Sequence, residues 1–241
     1  MSSSAIEANL FAHPVFHPWP RTVEAHDGPD LLFSRTDIPQ PLFNSVGRAN
    51  LSADAADAAI LRLTSHHMPI LWWVGPSSKP ADLRERLVRH GFEHAGDNPG
   101  MAAPLSRIRF PPPTSIAIER VLDLDTLRTW NAVPRGVDER FALYASAFDA
   151  FTHYIALADG LAVGCASLFI AGGAAGIYNV FTIPELRKQG IGAALTAFAL
   201  RDARDRGCTL SVLQASPMSV ALYRALGFEE HCTIGHYVWQ P

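Results

Sequence analysis

The heptapeptide Arg187-Lys188-Gln189-Gly190-Ile191-Gly192-Ala193 joins two cations to two glycines, and it is the part of the chain best suited to bind a charged ligand. It follows a strand-like run, Gly176 to Thr182, and opens a helical run that ends near Gly207. Glycine at 190 and 192 permits close approach, so successive N–H groups at the helix start can face an anion where the helix dipole also favours negative charge. Arg187 and Lys188 add positive charge at the rim. The same residues would serve an ordinary tight strand-to-helix turn. Tyr223 is a second group with chemistry. It sits one position round from Leu222, at the edge of the apolar stripe formed by Leu222 and Leu226, where its hydroxyl can reach a cleft. The histidines offer no ligand spacing: His66 and His67 are adjacent, and His90 is separated from His94 by Gly91. No metal is expected.

The elements that must hold these groups can be read in order. The first ten residues are polar and expected to be loose, and the proline-punctuated stretch from Pro14 to Pro20 is expected to lie over a surface. Leu31 to Phe33 and Leu42 to Val46 read as short strands, Ala53 to His66 as a helix capped by Ser52, Pro69 to Val74 as a buried strand, and Pro80 to His90 as a helix stopped by Gly91. The proline run at 110–114 cannot continue a helix and fits a sheet poorly, which places a domain boundary between 1–110 and 111–241. Beyond it the pattern predicts a strand at Ser115 to Val121 and helices at Asp123 to Val133 and Val137 to Phe148. A hairpin follows, Phe151 to Ala158 and Leu161 to Ile170, turned by Asp159-Gly160. After the glycine loop and its helix come a strand at Thr209 to Leu213, a helix at Met218 to Leu226, and one or two strands from Glu229 to Trp239.

Composition limits the partners. The 241 residues are 48% hydrophobic and 18% charged with a net charge of −3, so nothing draws the whole chain to nucleic acid or an anionic membrane, and a small-molecule partner is expected. The three cysteines, Cys165, Cys208 and Cys232, show no paired spacing and read as reduced thiols. With no signal-peptide pattern and no apolar run near the ~20 residues of a membrane span, a cytoplasmic location is expected.

Arg187-x-x-Gly190-x-Gly192 at a strand-to-helix junction, followed by Tyr223-Arg224-Ala225-Leu226-Gly227-Phe228, resembles the GNAT superfamily of acyl-CoA-dependent N-acetyltransferases over about residues 115 to 241. The resemblance implies an α/β fold with a mixed central sheet flanked by helices. It also implies an acetyl-CoA site: the backbone of Val180, Phe181 and Thr182 meets the pantetheine arm, Arg187 stands at the rim, and Lys188, Gln189, Gly190, Ile191, Gly192 and Ala193 cradle the pyrophosphate. The run Leu71 to Val74, the helix through Leu87 and His90-Gly91-Phe92-Glu93 repeat the order of the second half. Residues 1–110 therefore read as a degenerate GNAT-like lobe in tandem with an acetyl-CoA-binding catalytic domain at 111–241. An unrelated domain with a similar helix-Gly-Phe ending is the alternative.

The implied reaction is transfer of an acetyl group to a primary amine of a small molecule or protein by direct attack. An alkylammonium with a pKa of ~10.4 must lose its proton and the departing thiolate must gain one. The family places its tyrosine acid at Tyr223. No carboxylate lies on the strand at 176–182, which leaves Asp138, Glu139 and His153 as candidates for the base. Tyr178 and Asn179 precede the cofactor segment and, with Trp130, are candidates to face the acceptor. The Trp130 to Arg140 segment mixes charges and selects no substrate, and monomer and homodimer are both compatible with the sequence. A catalytically silent acyl-CoA-binding module is the alternative reading. A nucleotide-binding protein is disfavoured, because Lys188 lacks the phosphate-loop pattern around it.

Overall fold

The computed structural model describes residues 2–111, 116–135 and 140–241. In chain order the elements are α1 (Ser2–Phe11), β1 (Thr22–Asp27), β2 (Leu31–Thr36), β3 (Ser45–Ala49), α2 (Ala53–Thr64), β4 (Ile70–Val74), α3 (Leu83–Arg89), β5 (Glu93–Pro104) and β6 (Ala117–Arg120). There follow α4 (Leu124–Arg135), α5 (Arg140–Ser146), β7 (Phe151–Ala158), β8 (Leu161–Ala171), β9 (Ala174–Thr182), α6 (Ile191–Asp205), β10 (Leu210–Gln214), α7 (Val220–Leu226) and β11 (Glu229–Trp239). Two compact units emerge, residues 1–9 with 100–231 and residues 10–99 with 232–241. Each is an α/β unit with a mixed sheet flanked by helices, the class expected from sequence.

The unit of residues 1–9 and 100–231 has strand order β5-β10-β9-β8-β7-β6. The pairs β6/β7, β7/β8, β8/β9 and β10/β5 are antiparallel and β9/β10 is parallel. Its core gathers Leu168, Ile177, Leu195, Leu200, Leu213 and Phe228. Burial of such side chains is the main term holding helices to a sheet, at about 25 cal/mol per Å² of apolar surface. Helix α6 packs on β8 and β9. It is also pinned through its buried Asp202, which accepts from Arg206 at 2.9 Å, from Arg120 and from the Tyr154 hydroxyl. Gly207, at φ 82°, follows the helix end, a backbone conformation that glycine adopts without steric cost.

The second unit runs β1-β2-β3-β4-β11, with β1/β2, β2/β3 and β4/β11 antiparallel and β3/β4 parallel. Helix α2 follows β3 as α6 follows β9, and α3 follows β4 as α7 follows β10. The two helix ends also match in detail. Phe228 N–H donates to Tyr223 O and Gly227 N–H to Arg224 O, both at 3.0 Å; Phe92 donates to Leu87 O and Gly91 to Val88 O, again at 3.0 Å.

Several expectations are corrected. The first residues are not loose: α1 buries Ile6 and Leu10, and its Asn9 Nδ2 donates to the carbonyls of Phe169, Ala171 and Ala174. Pro14–Phe16 is a 3-10 turn whose Phe16 packs edge-on against Trp73 at 5.9 Å. Pro41–Phe43 is likewise a turn rather than a strand, because the buried Asn44 accepts from Thr36 N–H and donates to Ile38 O and Gln40 O, after which β3 begins. Strands β1 and β5 were not anticipated. The division into compact units differs from a single break after residue 110: β5 and β11 each contribute residues to both units. Residues 112–115 and 136–139 lie outside the described residues, so most of the proline run and the turn at Gly136 do too. Among the described residues no helix is long and apolar enough to cross a membrane.

Candidate functional site

The site grows from an irregularity in β9. Cys165 on β8 pairs with Phe181, but Ser167, two residues on, pairs with Tyr178, so β9 spends one extra residue between them. Asn179 absorbs that bulge at φ 53°, a left-handed conformation that asparagine tolerates better than most residues. Its side chain anchors the distortion: Nδ2 donates to the Tyr144 hydroxyl at 2.7 Å and to Ser167 Oγ at 3.2 Å, and the Cys165 thiol donates to its carbonyl. Ser167 is in turn hydrogen bonded to His153 Nδ1 at 2.9 Å. On the other edge, β9 pairs with β10 only at Ala175 and Gly176, while Leu213 and Gln214 of β10 pair with β5. Among the described residues, the β9 backbone edge towards β10 carries no ladder from Tyr178 onward.

Against the bulge lies a cavity of about 160 Å³. Trp130 and Asn131 of α4, Arg140 and Tyr144 of α5, and Cys165 of β8 meet Asn179, Val180 and Phe181 of β9 there. Trp130 is fixed by Nε1–H donation to Ala166 O at 3.0 Å and stands over His153 at 4.4 Å between ring centres. Tyr144 lies edge-on to both rings. Burial holds His153 down to about 3 and pushes the Cys165 thiol up to about 12, so both are neutral throughout the working range. Tyr178 turns its hydroxyl to Asn9 Oδ1 at 2.7 Å and is not part of this lining.

The glycine loop leads directly into α6. Lys188 at φ 61° and Gly190 at φ 83° are both left-handed, and Gly190 caps α6 without any side-chain hydrogen bond. With no acidic residue in the first turn, the N–H groups of Ile191, Gly192 and Ala193 are left for water or a ligand. A Cβ on Gly192 would stand 3.3 Å from Leu222 and 3.8 Å from Thr182 and Val180, so β9, α6 and α7 converge at that point. Arg187 folds back, donating to Thr182 O at 3.1 Å with its guanidinium 5.5 Å from the Phe181 ring centre. Lys188 and Gln189 are exposed.

Tyr223 is more buried than its place at the edge of the stripe implied, at 6% exposure, against Phe228 at 5.8 Å. Burial pushes its hydroxyl up to about 12. Among the described residues that hydroxyl makes no hydrogen bond, and Tyr223 does not line the cavity.

The structure thus brings Trp130, Asn179, Val180 and Phe181 to one cavity, sets residues 187–193 at the α6 N-terminus, and puts His153 beneath the cavity rather than in it. Asp138 and Glu139 lie outside the described residues. Asn131, Tyr144 and Cys165 were not singled out from sequence, because they come from separate elements with no spacing that links them. Among the described residues no cluster of His, Cys, Asp or Glu could hold a metal ion.

Residues 118–228 match the Acetyltransferase (GNAT) family. A GCN5-related N-acetyltransferase from Kribbella flavida superposes with a TM-score of 0.75 at 22% identity, over 98% of this chain and 95% of its own. A tandem GNAT protein from the clavulanic acid biosynthesis pathway gives 0.60 at 16% identity, over 87% of this chain and 78% of its own. A GCN5-related N-acetyltransferase from Sphaerobacter thermophilus gives 0.61 at 15%, over 90% and 84%. At these identities the likeness is one of fold. No curated protein matches the sequence.

Proposed function

From a chain whose residues 118–228 match the GNAT acetyltransferase family, we propose an N-acetyltransferase that uses acetyl-CoA and a primary amine in a ternary complex. The observation that carries this reading is the meeting, at Gly192, of an unladdered strand edge with a helix N-terminus that has no side-chain cap. Both features leave backbone donors unsatisfied, and they face a ligand that is an extended amide chain at one end and a pyrophosphate at the other. A larger residue at 192 would close that convergence.

Acetyl-CoA supplies an acetyl thioester, whose carbonyl carbon is the electrophile. The β9 backbone at Val180, Phe181 and Thr182 aligns the pantetheine arm, and N–H groups at 188–193 with the dipole of α6 neutralise the pyrophosphate. The bulge N–H near Val180 stabilises the oxyanion through a preorganised dipole. The amine lone pair forms the new N–C bond, the C–S bond breaks, and its electron pair leaves on sulfur. Tyr223 gives its proton to that sulfur and is restored by the proton the amine gives up through solvent. A hydroxyl held up to about 12 is protonated at neutral pH, as an acid must be.

Thermal unfolding with and without acetyl-CoA tests this. A ligand at a hundred times its Kd stabilises by about 2.7 kcal/mol, a rise of about 5–10 °C for a chain of this size. Gly190→Glu should abolish the rise. Gly190→Ala, which shares the left-handed strain but adds no charge, should keep most of it. No rise in the parent protein at saturating acetyl-CoA refutes the cofactor assignment.

A further inference from the structure

His153 and Ser167 stand opposite each other on β7 and β8, and packing alone does not explain the histidine. His153 is 1% exposed, with Trp130 at 4.4 Å, Phe151 stacked at 5.3 Å and Tyr144 edge-on at 5.3 Å between ring centres. A wholly apolar ring would suit that box. The histidine instead leaves Nε2 buried with no hydrogen-bond partner among the described residues, and an unpaired buried polar atom costs stability. Its polar contact is made by the other nitrogen, Nδ1, 2.9 Å from Ser167 Oγ.

The direction of that bond follows from the protons available. Ser167 is fully buried and its Oγ already accepts from Asn179 Nδ2. Among the described residues Nδ1 is the acceptor left for the hydroxyl proton, and it can accept only in a neutral ring protonated at Nε2. Burial keeps the ring in that neutral form. The chain of donors therefore runs from Asn179 to Ser167 to His153. Its anchor is rigid, because at Ser167 β8 pairs with β7 on one side and with β9 on the other. Its far end is the residue at φ 53° that makes the β9 bulge, next to Val180.

Resting on the acetyltransferase reading, we infer that His153 and Ser167 are positioning residues for acetyl transfer: the imidazole orients the serine hydroxyl, the hydroxyl holds the Asn179 amide, and the amide sets where the bulge N–H near Val180 meets the acyl carbonyl. Neither residue touches the reactants, and His153 takes no proton from the amine.

Release of CoA thiol from acetyl-CoA with hydroxylamine as the nucleophile tests this without the natural acceptor. The new N–C bond gives acetohydroxamic acid, the C–S bond breaks, and the sulfur leaves as the thiol. Ser167→Ala, and His153→Phe, which keeps a ring but offers no acceptor, should each lower the saturated rate at least about tenfold with KM for acetyl-CoA within about threefold, the pattern of a misplaced transition-state donor. His153→Asn, whose amide oxygen can stand in for Nδ1, should keep most of the rate. Melting temperatures should run the other way, His153→Phe above His153→Asn, because packing alone favours the apolar ring. Rates that follow stability, with His153→Phe at or above His153→Asn, overturn the inference. So does a Ser167→Ala rate equal to that of the parent. A parent protein that shows the acetyl-CoA thermal shift but releases no thiol above the protein-free rate overturns it as well and leaves the cofactor assignment intact; a missing shift refutes both. The same shift in each variant reports that it has folded.

Discussion

Tyr223 and Asn179 show how differently two residues of one site can be read. Tyr223 stands five residues before the phenylalanine of a helix-Gly-Phe ending, and that local pattern can be found in the sequence. Its burial cannot, because the residues that cover it arrive from other parts of the chain. If Tyr223 is the proton donor, Tyr223→Phe should lower kcat by about 10²–10³-fold, in the range of general-acid contributions, and leave the acetyl-CoA thermal shift unchanged. The pH profile gives an independent check. A group held up to about 12 keeps its proton as pH rises, so the rate should climb with deprotonation of the amine and show no alkaline fall below about pH 10. A falling limb near pH 8–9 would assign the acid to another group. From sequence, Asn179 is with Tyr178 one of two candidates to face the acceptor. Its larger contribution, holding a left-handed bulge through Tyr144 and Ser167, depends on pairing across β8 and β9 that no local pattern specifies.

At the level of elements, those that alternate or repeat strongly were legible, and those defined by a distant partner were not. The hairpin β7-β8 and the helix α6 carry their own turn and cap signals, Asp159-Gly160 and Gly190 to Gly192. Helix α1 carries almost none: its polar N-terminal end and scattered apolar residues make no clear stripe, and its stability comes from what Asn9 does. That fully buried amide donates to three carbonyls around the β8-β9 turn and accepts from the Tyr178 hydroxyl. Gly172 is in close contact with the same helix, since a Cβ there would come within 2.7 Å of Ala8. Asn9→Ala would strand several buried polar groups at once, at about 1–3 kcal/mol for a buried group left unsatisfied. The expected outcome is a midpoint lowered by about 3–9 °C, with hydrogen exchange accelerated first at residues 171–174. An unaltered midpoint would show that α1 is dispensable to its unit.

At the scale of the whole molecule, the repeated order of strands and helices explains why the first half reads as a copy of the second, and the two helix starts show where the halves differ. In both units a strand, a loop and a helix precede the parallel partner strand, and both final helices end on the same Gly-Phe hydrogen-bond pattern. Unit membership follows the strands rather than the proline run, because β5 and β11 each place residues in both units. The loops then differ in kind. At the head of α2, Ser52 Oγ accepts from Ala55 N–H at 3.3 Å and Asp54 sits in the first turn, so the helix satisfies and screens its own positive end. Leu87, fully buried, occupies the position that Tyr223 holds in the other unit. Gly47, inside β3, is closed off, since a Cβ there would meet Phe16 at 2.9 Å. We therefore expect calorimetric titration with acetyl-CoA to give one site per chain, and Gly190→Glu to abolish it. Replacing Ser52 by glycine uncaps α2 but leaves Asp54 and the absent tyrosine, so it should create no second site. A stoichiometry of two, or residual binding in Gly190→Glu, would mean that the first unit retains a cradle which its capped helix argues against.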